Sequence, residues 1–94
     1  MVRAVWNGKI LAESDSCELI DHNYYFPKKS VNKKFLKPSK TRTICPWRGE
    51  ATYFDVVVNG KTNKDAAWCY PKPNSEAKSI KDHIAFWNGV NIEV

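Results

Sequence analysis

The segment Cys45–Glu50, with the sequence CPWRGE, combines a thiol, a guanidinium and a carboxylate within six residues. Pro46 fixes its own φ angle and Gly49 permits backbone angles closed to other residues, so Trp47 and Arg48 are predicted to be held between two restraints. A guanidinium held in this way binds a carboxylate or a phosphate through two parallel hydrogen bonds. The segment therefore predicts an anchoring role for Arg48.

Two other interpretations of this segment stay open. Arg48 is also suited to a structural or surface ion pair, with Glu50 or Asp65 as the partner. Cys45 is a candidate nucleophile, because a thiolate is the reactive form of cysteine and a nearby arginine lowers a thiol pKa. No resolving cysteine or general base stands beside Cys45 in the sequence, so an inert thiol is the alternative.

Aromatic residues are spread through several separate segments of the chain. Rings that carry a polar atom are suited to a pocket for a flat or cationic ligand, although a small core would use the same residues. We predict that one concave site is bordered by Trp47, Arg48, Tyr53 and Trp68, with Tyr25 or Tyr70 beside them; Trp87 is a further aromatic that the fold could bring near.

Residues 28–42 hold seven basic side chains and no acidic one. They are Lys28, Lys29, Lys33, Lys34, Lys37, Lys40 and Arg42. Such a stretch is suited to an acidic partner or a phosphate backbone, but a solvated lysine-rich face is the favoured explanation. Nucleic acid is not favoured as a partner, because single-strand binders interleave several aromatic rings and this stretch has only Phe35.

The length of 94 residues allows one hydrophobic core, so a single domain over residues 1–94 is expected. Hydrophobic residues make up 43% and charged residues 27%, a balance that excludes a disordered tail or a membrane-spanning protein. The start of the chain lacks a signal-peptide pattern, so a soluble, cytoplasmic protein without a membrane partner is expected. Cys17, Cys45 and Cys69 have no C-x-x-C spacing, which predicts free thiols, no metal site and no cofactor.

Turn signals dominate the secondary-structure pattern. Asn7-Gly8, Asn59-Gly60 and Asn88-Gly89 each lie beside β-branched or aromatic residues. Asn and Gly tolerate the positive φ angles of a type I′ turn, so three β-hairpins are predicted at these positions. Two further strands, Cys17–Ile20 and Asn23–Phe26, are predicted on either side of a turn.

Two short helices and one long strand complete the pattern. Ser30–Leu36 is predicted to be a short helix capped by Ser30 and ended before Pro38, and Asn74–Ile80 is predicted to form one or two helical turns. In the strand 51–58, alternation places Phe54, Val56 and Val58 on a buried face. Ala51, Tyr53, Asp55 and Val57 share the opposite face, which is either solvent-exposed or the floor of a site.

Four blocks of the sequence together resemble the bacterial family called domain of unknown function 427. The blocks are Tyr25–Pro27, Cys45–Val56, Asp65–Pro71 and Ile84–Trp87, in the order and spacing of that family. The resemblance implies a mainly β, single-domain protein with the folded antiparallel sheet known as a β-tent and one or two short helices. Zinc-bearing proteins of that fold have two C-x-x-C knuckles, and this sequence has neither. No settled activity comes with the family.

The sequence favours a non-catalytic module that binds a small molecule or a peptide through an aromatic pocket, with Arg48 as the polar anchor. One alternative is a small enzyme that uses Cys45, Arg48 and Glu50. The other is an interaction domain that uses the basic loop at residues 28–42. Self-association as a homodimer is compatible with all three.

Overall fold

The computed structural model describes residues 1–94, and strands account for most of them. Strands hold 60% of the residues and helical turns 13%, so the mainly β fold predicted from the sequence is confirmed. No helix is both long enough and apolar enough to span a membrane. The strands are β1 Val2–Trp6, β2 Lys9–Ser14, β3 Glu18–Ile20, β4 Asn23–Pro27, β5 Leu36–Cys45, β6 Gly49–Val58, β7 Lys61–Cys69, β8 His83–Phe86 and β9 Asn91–Glu93.

The strands form two antiparallel sheets. The smaller sheet has the order β2-β1-β9 and the larger one the order β3-β4-β8-β7-β6-β5. Three short 3-10 turns, Lys28–Ser30, Lys33–Phe35 and Ser75–Ile80, connect the strands. The last of these confirms the helical turn predicted near residues 74–80.

Two of the three Asn-Gly pairs form the predicted hairpins. Asn7 and Gly8 join β1 to β2, and Asn59 and Gly60 join β6 to β7, all four with positive φ angles between 49° and 78°. The predicted turn near residue 21 also joins two paired strands, β3 and β4. Asp21 and His22 there adopt positive φ angles of 49° and 68° without any glycine.

The third Asn-Gly pair makes a turn but not a hairpin, so that prediction was wrong. Asn88 and Gly89 have φ angles of 55° and 92°, as the turn requires. The strands on either side belong to different sheets, because β8 pairs with β4 and β7 while β9 pairs with β1. Asn63 holds the turn against β7 by donating its side-chain N–H to the Asn88 carbonyl at 2.7 Å. Turn chemistry sets the local backbone angles, but it does not choose the strand that pairs next.

The predicted helix at Ser30–Leu36 was also wrong. Val31 forms a bridge with Ala12 of β2, and the Asn32 N–H donates to the Leu11 carbonyl at 2.7 Å. These bonds draw the middle of the segment into an extended conformation and leave one 3-10 turn on each side. The Ser30 hydroxyl donates back to the Pro27 carbonyl at 2.7 Å and caps nothing.

Pro38 lies inside β5, which runs from Leu36 to Cys45. A proline has no N–H to donate to a neighbouring strand. It is tolerated here because β5 is the edge strand of the larger sheet, and the pairing register shifts between Pro38 and Arg42.

The larger sheet carries a hydrophobic core on each face. The first core includes Val56 and Val58, both almost fully buried, with Phe54 partly buried against it. The predicted buried face of the strand at 51–58 is therefore confirmed. Ala51 lies in the second core with Tyr53 packed against it, so the opposite face is largely covered rather than solvent-exposed.

Candidate functional site

A hollow of about 240 Å³ opens on the face of the larger sheet that carries the second core. We call it the aromatic hollow. Five aromatic rings and one guanidinium contribute to its wall. The lining residues are Asp21, Asn23, Tyr25, Arg48, Tyr53, Trp68, Tyr70 and Trp87.

Strand register places three of these rings in one row across the sheet. Tyr25 of β4 lies opposite Ala85 of β8, Ala85 lies opposite Trp68 of β7, and Trp68 lies opposite Tyr53 of β6. Because Ala85 has only a methyl group, the rings of Tyr25 and Trp68 meet above it, edge to face, with centroids 6.1 Å apart. The small residue between two large ones therefore brings the two rings together.

Trp87 extends the row toward solvent. Its ring meets that of Trp68 edge to face at 6.2 Å. Its indole N–H donates to the Asp65 carbonyl at 2.6 Å, which fixes the ring although 52% of the residue is exposed. The hollow thus has a half-exposed ring at its rim.

Arg48 lies in the turn between β5 and β6 and is held there by its own backbone. Its N–H donates to the Cys45 carbonyl at 3.2 Å, and its carbonyl accepts from the Asn74 N–H at 2.9 Å. The side chain donates to the Asp21 carboxylate and, at 3.5 Å, to Cys45 Sγ. Arg48 is 16% exposed and Asp21 is 73% exposed.

The ion pair of Arg48 differs from both pairs considered in the sequence. Neither Glu50 nor Asp65 is its partner; the partner is Asp21, at the tip of the β3–β4 hairpin. Asp65 instead accepts hydrogen bonds from the hydroxyls of Ser39 and Thr41. These two bonds, that from Ser39 first, hold the pKa of Asp65 below its usual value.

Two tyrosines of the hollow stay protonated far above neutral pH. Burial raises the pKa of Tyr70 to about 12, and it also raises the pKa of Tyr25. Both phenols are therefore neutral hydrogen-bonding groups at physiological pH. The Tyr53 hydroxyl is within hydrogen-bonding distance of the Thr43 hydroxyl, at 3.0 Å.

Trp47 is the one predicted site residue that does not line the hollow. Its side chain is 72% exposed, although its neighbour Arg48 is enclosed. Gly49, with a φ angle of 112°, turns the backbone so closely against residues 72–74 that a Cβ there would lie 3.2 Å from the Lys72 carbonyl. This docking of the turn aims Arg48 inward and leaves Trp47 in solvent.

Asp21 and Asn23 line the hollow and were missed by sequence reasoning. Nothing in the sequence relates Asp21 to Arg48, which lies 27 residues away. Trp87 was recognised as an aromatic that the fold could bring near, but it was not placed in the site. Its position in the last of the four family blocks was the available signal.

The residues of the enzyme alternative are divided between two places. Cys45 is half-buried and contacts Arg48, whereas Glu50 is exposed and borders a separate depression with Pro71 and Lys72. All three cysteines are free thiols, and burial raises the pKa of Cys17 and of Cys69. The structure contains no group of three or more His, Cys, Asp or Glu side chains that could hold a metal ion.

The seven basic residues of residues 28–42 are all exposed. The three ion pairs of the molecule, Met1–Asp15, Arg3–Glu13 and Arg48–Asp21, lie outside that segment. None of these seven residues is therefore in an ion pair.

A family model described as "Domain of unknown function (DUF427)" matches residues 1–94. No curated protein matches the chain.

Proposed function

The chain belongs to the domain of unknown function 427 family, as its four sequence blocks predicted, and we propose that it is a non-catalytic module that binds a small-molecule or peptide group in the aromatic hollow. Arg48 is the polar anchor of that ligand. The observation that supports this most directly is the convergence of five rings and a guanidinium, from three strands and three connecting segments, on one concave surface. Apolar walls with a few placed polar groups are typical of ligand sites.

The size of the hollow limits what it receives. Ligand sites for drug-sized molecules usually have volumes of roughly 300–1,000 Å³, and the aromatic hollow has about 240 Å³. It fits one ring or one compact head group rather than a large ligand. The bound group is therefore a small flat molecule or one side chain of a peptide.

Arg48 has donors to spare for such a ligand. A guanidinium has five N–H groups, and the protein accepts from two of its nitrogens, through Asp21 and Cys45. A ligand carboxylate placed in the hollow would take the remaining donors. Asp21 is well exposed, so it can turn into solvent at little cost when a ligand replaces it.

The enzyme alternative has one observation in its favour, the contact between Arg48 and Cys45 Sγ. Glu50, however, does not line the hollow, so it is not placed to act there as a general base for Cys45. Binding without catalysis requires only the rings and the guanidinium that line the hollow.

The proposed partner of the chain is the ligand itself, neither a nucleic acid nor a membrane. We place this function in the cytoplasm, where the three free thiols would stay reduced.

Calorimetric titration with benzoate, benzamide and phenyltrimethylammonium tests the anchor. The three probes share one ring and differ in charge. We expect benzoate to bind about 10-fold more tightly than benzamide, because only its carboxylate pairs with Arg48. Arg48→Ala should remove that difference, whereas Trp47→Ala, which alters the exposed neighbour, should leave it unchanged.

Thermal unfolding of the same variants provides the control. Arg48→Ala should cost on the order of 1 kcal/mol, because the partner Asp21 stays hydrated when the pair is broken. Equal binding of benzoate and benzamide would contradict the anchor. Tightest binding of phenyltrimethylammonium would also contradict it, and would make Asp21 the polar partner instead.

A further inference from the structure

A second hollow lies against the first core, at the end of the larger sheet where β4 ends and the 3-10 turn Lys28–Ser30 begins. Its volume is about 220 Å³. The lining residues are Lys28, Thr52, Phe54, Cys69, Tyr70, Pro71, Asp82, His83 and Ile84. We call it the basic hollow. It shares only Tyr70 with the aromatic hollow.

The floor of the basic hollow is mostly apolar. Cys69 of β7 lies opposite Thr52 of β6 in the strand register. Phe54, Cys69 and Ile84 all belong to the first core or pack against it. A floor of this kind has room for the flat apolar part of a ligand, with the Thr52 hydroxyl as a polar contact.

Positive charge gathers at one end of this floor. A wider, open depression of about 420 Å³ adjoins the hollow and shares Lys28, Asp82 and His83 with it. Lys29 and Lys33 border that depression. Asp82 is the one acidic side chain among these residues, and none of the three lysines is in an ion pair.

Hydrogen bonds hold the backbone at Lys28 and the ring of His83 in place. The Lys28 backbone N–H donates to the Asp82 backbone carbonyl at 2.8 Å, which joins the start of the 3-10 turn to the loop before β8. His83 Nδ1 lies 2.8 Å from the Lys81 carbonyl. Because a carbonyl oxygen only accepts, Nδ1 carries the hydrogen of this bond, and Nε2 is left to contact a ligand.

The cations also act on the floor itself. Burial raises the pKa of the Cys69 thiol, and the charges of Lys28 and Arg42 oppose that rise. The apolar floor and the lysine cluster therefore lie within electrostatic range of each other. A ligand that extends from one to the other would pair an uncharged body with a strongly anionic group.

We propose that the basic hollow binds an organic phosphate monoester. Its flat apolar body lies on the floor formed by Phe54 and Ile84, and its phosphate lies among Lys28, Lys29 and Lys33. A volume of about 220 Å³ is below the roughly 300 Å³ at which typical ligand sites begin, so it holds the ring alone. The phosphate lies in the adjoining open depression. A group with close to two negative charges matches several lysines better than a carboxylate does.

Titration of the full chain with phenyl phosphate, inorganic phosphate and phenol tests this inference. Binding is followed by two-dimensional amide NMR, with the backbone signals of Lys28, Cys69 and His83 as reporters. We expect phenyl phosphate to bind at least about 10-fold more tightly than either fragment, because it alone occupies both floor and lysines. Equal affinity of phenyl phosphate and inorganic phosphate would overturn the proposed floor contact.

Two double variants with equal loss of charge complete the test. Lys28→Gln with Lys29→Gln should weaken phenyl phosphate by at least about 10-fold and leave phenol unchanged. Lys9→Gln with Lys61→Gln removes two exposed lysines beside the Asn-Gly hairpin turns and should stay within about 2-fold of the parent protein. Equal weakening by both pairs would show attraction to net charge and would overturn the site. Movement of the Trp68 and Trp87 signals instead would assign the binding to the aromatic hollow and would likewise overturn it.

Discussion

Asp65 shows how a single residue can hold several strands of this protein in place. It has a φ angle of 55° within β7, where the pairing with β6 shifts register. Its N–H donates to the Asp55 carboxylate at 2.9 Å, its carbonyl accepts from Trp87, and its carboxylate accepts from Ser39 and Thr41. Asp65 therefore ties β5, β6 and the rim of the aromatic hollow to β7.

Asp65 should make folding stability depend on acidity. Its pKa lies below the ordinary value of 3.8 because Ser39 and Thr41 donate to the carboxylate. A carboxyl with a lowered folded-state pKa stabilises fully above its unfolded pKa, and that stability is lost as the pH falls through the lower folded-state value. Asp65→Asn, which keeps the shape and tolerates a positive φ angle, should cost about 1 kcal/mol near pH 7.

Thermal unfolding from about pH 7 to about pH 2.5 measures this effect. The difference between parent and Asp65→Asn should shrink as the solution becomes acidic. Asp82→Asn is the matched control, because Asp82 also has a positive φ angle, 59°, but accepts from neither Ser39 nor Thr41, which donate to Asp65. A constant difference between parent and Asp65→Asn over the whole range would contradict the role given to the charge.

Sequence reasoning at the residue scale succeeded where the signal was local. Pro46 and Gly49 bracket Arg48, and the structure does hold Arg48 by its backbone at the mouth of β6. Its partner Asp21 was out of reach, because a contact between positions 27 residues apart depends on how two hairpins pack. Local restraints can be read from neighbouring residues, whereas long-range pairing cannot.

The β5–β6 turn is the element that most directly shapes the aromatic hollow. It docks on residues 72–74 through two bonds, from the Asn74 N–H to the Arg48 carbonyl and from the Asn74 side chain to the Pro46 carbonyl. Gly49 makes the close approach. A change at this one position should therefore disturb both the turn and the placement of Arg48.

Gly49→Ala should destabilise the protein by about 2–3 kcal/mol, through a disfavoured backbone angle and a contact at 3.2 Å with the Lys72 carbonyl. Gly8→Ala is the matched control, because Gly8 also has a positive φ angle but nothing lies within 4 Å of its added Cβ. Gly8→Ala should lower the free energy of unfolding by only about 1 kcal/mol. Chemical denaturation of both variants measures the difference, and equal losses would show that the docking contact contributes little.

Secondary structure was predictable where turn chemistry was strong. The hairpins at Asn7-Gly8 and Asn59-Gly60 followed from residues that tolerate positive φ angles. The same chemistry at Asn88-Gly89 gave the turn but not the pairing, because β9 completes the smaller sheet beside β1. The helix expected at Ser30–Leu36 does not form, because Val31 and Asn32 make backbone bonds with β2. Those bonds cannot be predicted from the local sequence.

At the scale of the whole molecule, the larger sheet has a hollow on each face, and the two hollows have different lining residues. The second core and the aromatic hollow lie on one face, and the first core with the basic hollow lies on the other. Tyr70, at the end of β7, borders both. Composition revealed the excess of lysines in one segment, but only the fold shows that Lys28, Lys29 and Lys33 lie beside a hollow that Arg48 does not line.

The four tryptophan indole N–H signals measure the central claim, that the aromatic hollow is the ligand site. Trp68 and Trp87 line it, while Trp47 is exposed outside it and Trp6 packs against the first core. On titration with benzoate, the signals of Trp68 and Trp87 should move together along one binding curve, and those of Trp6 and Trp47 should stay in place. Movement of Trp47 without Trp68, or no movement of any signal at about 10 mM benzoate, well above the millimolar affinity of a weak fragment, would contradict it.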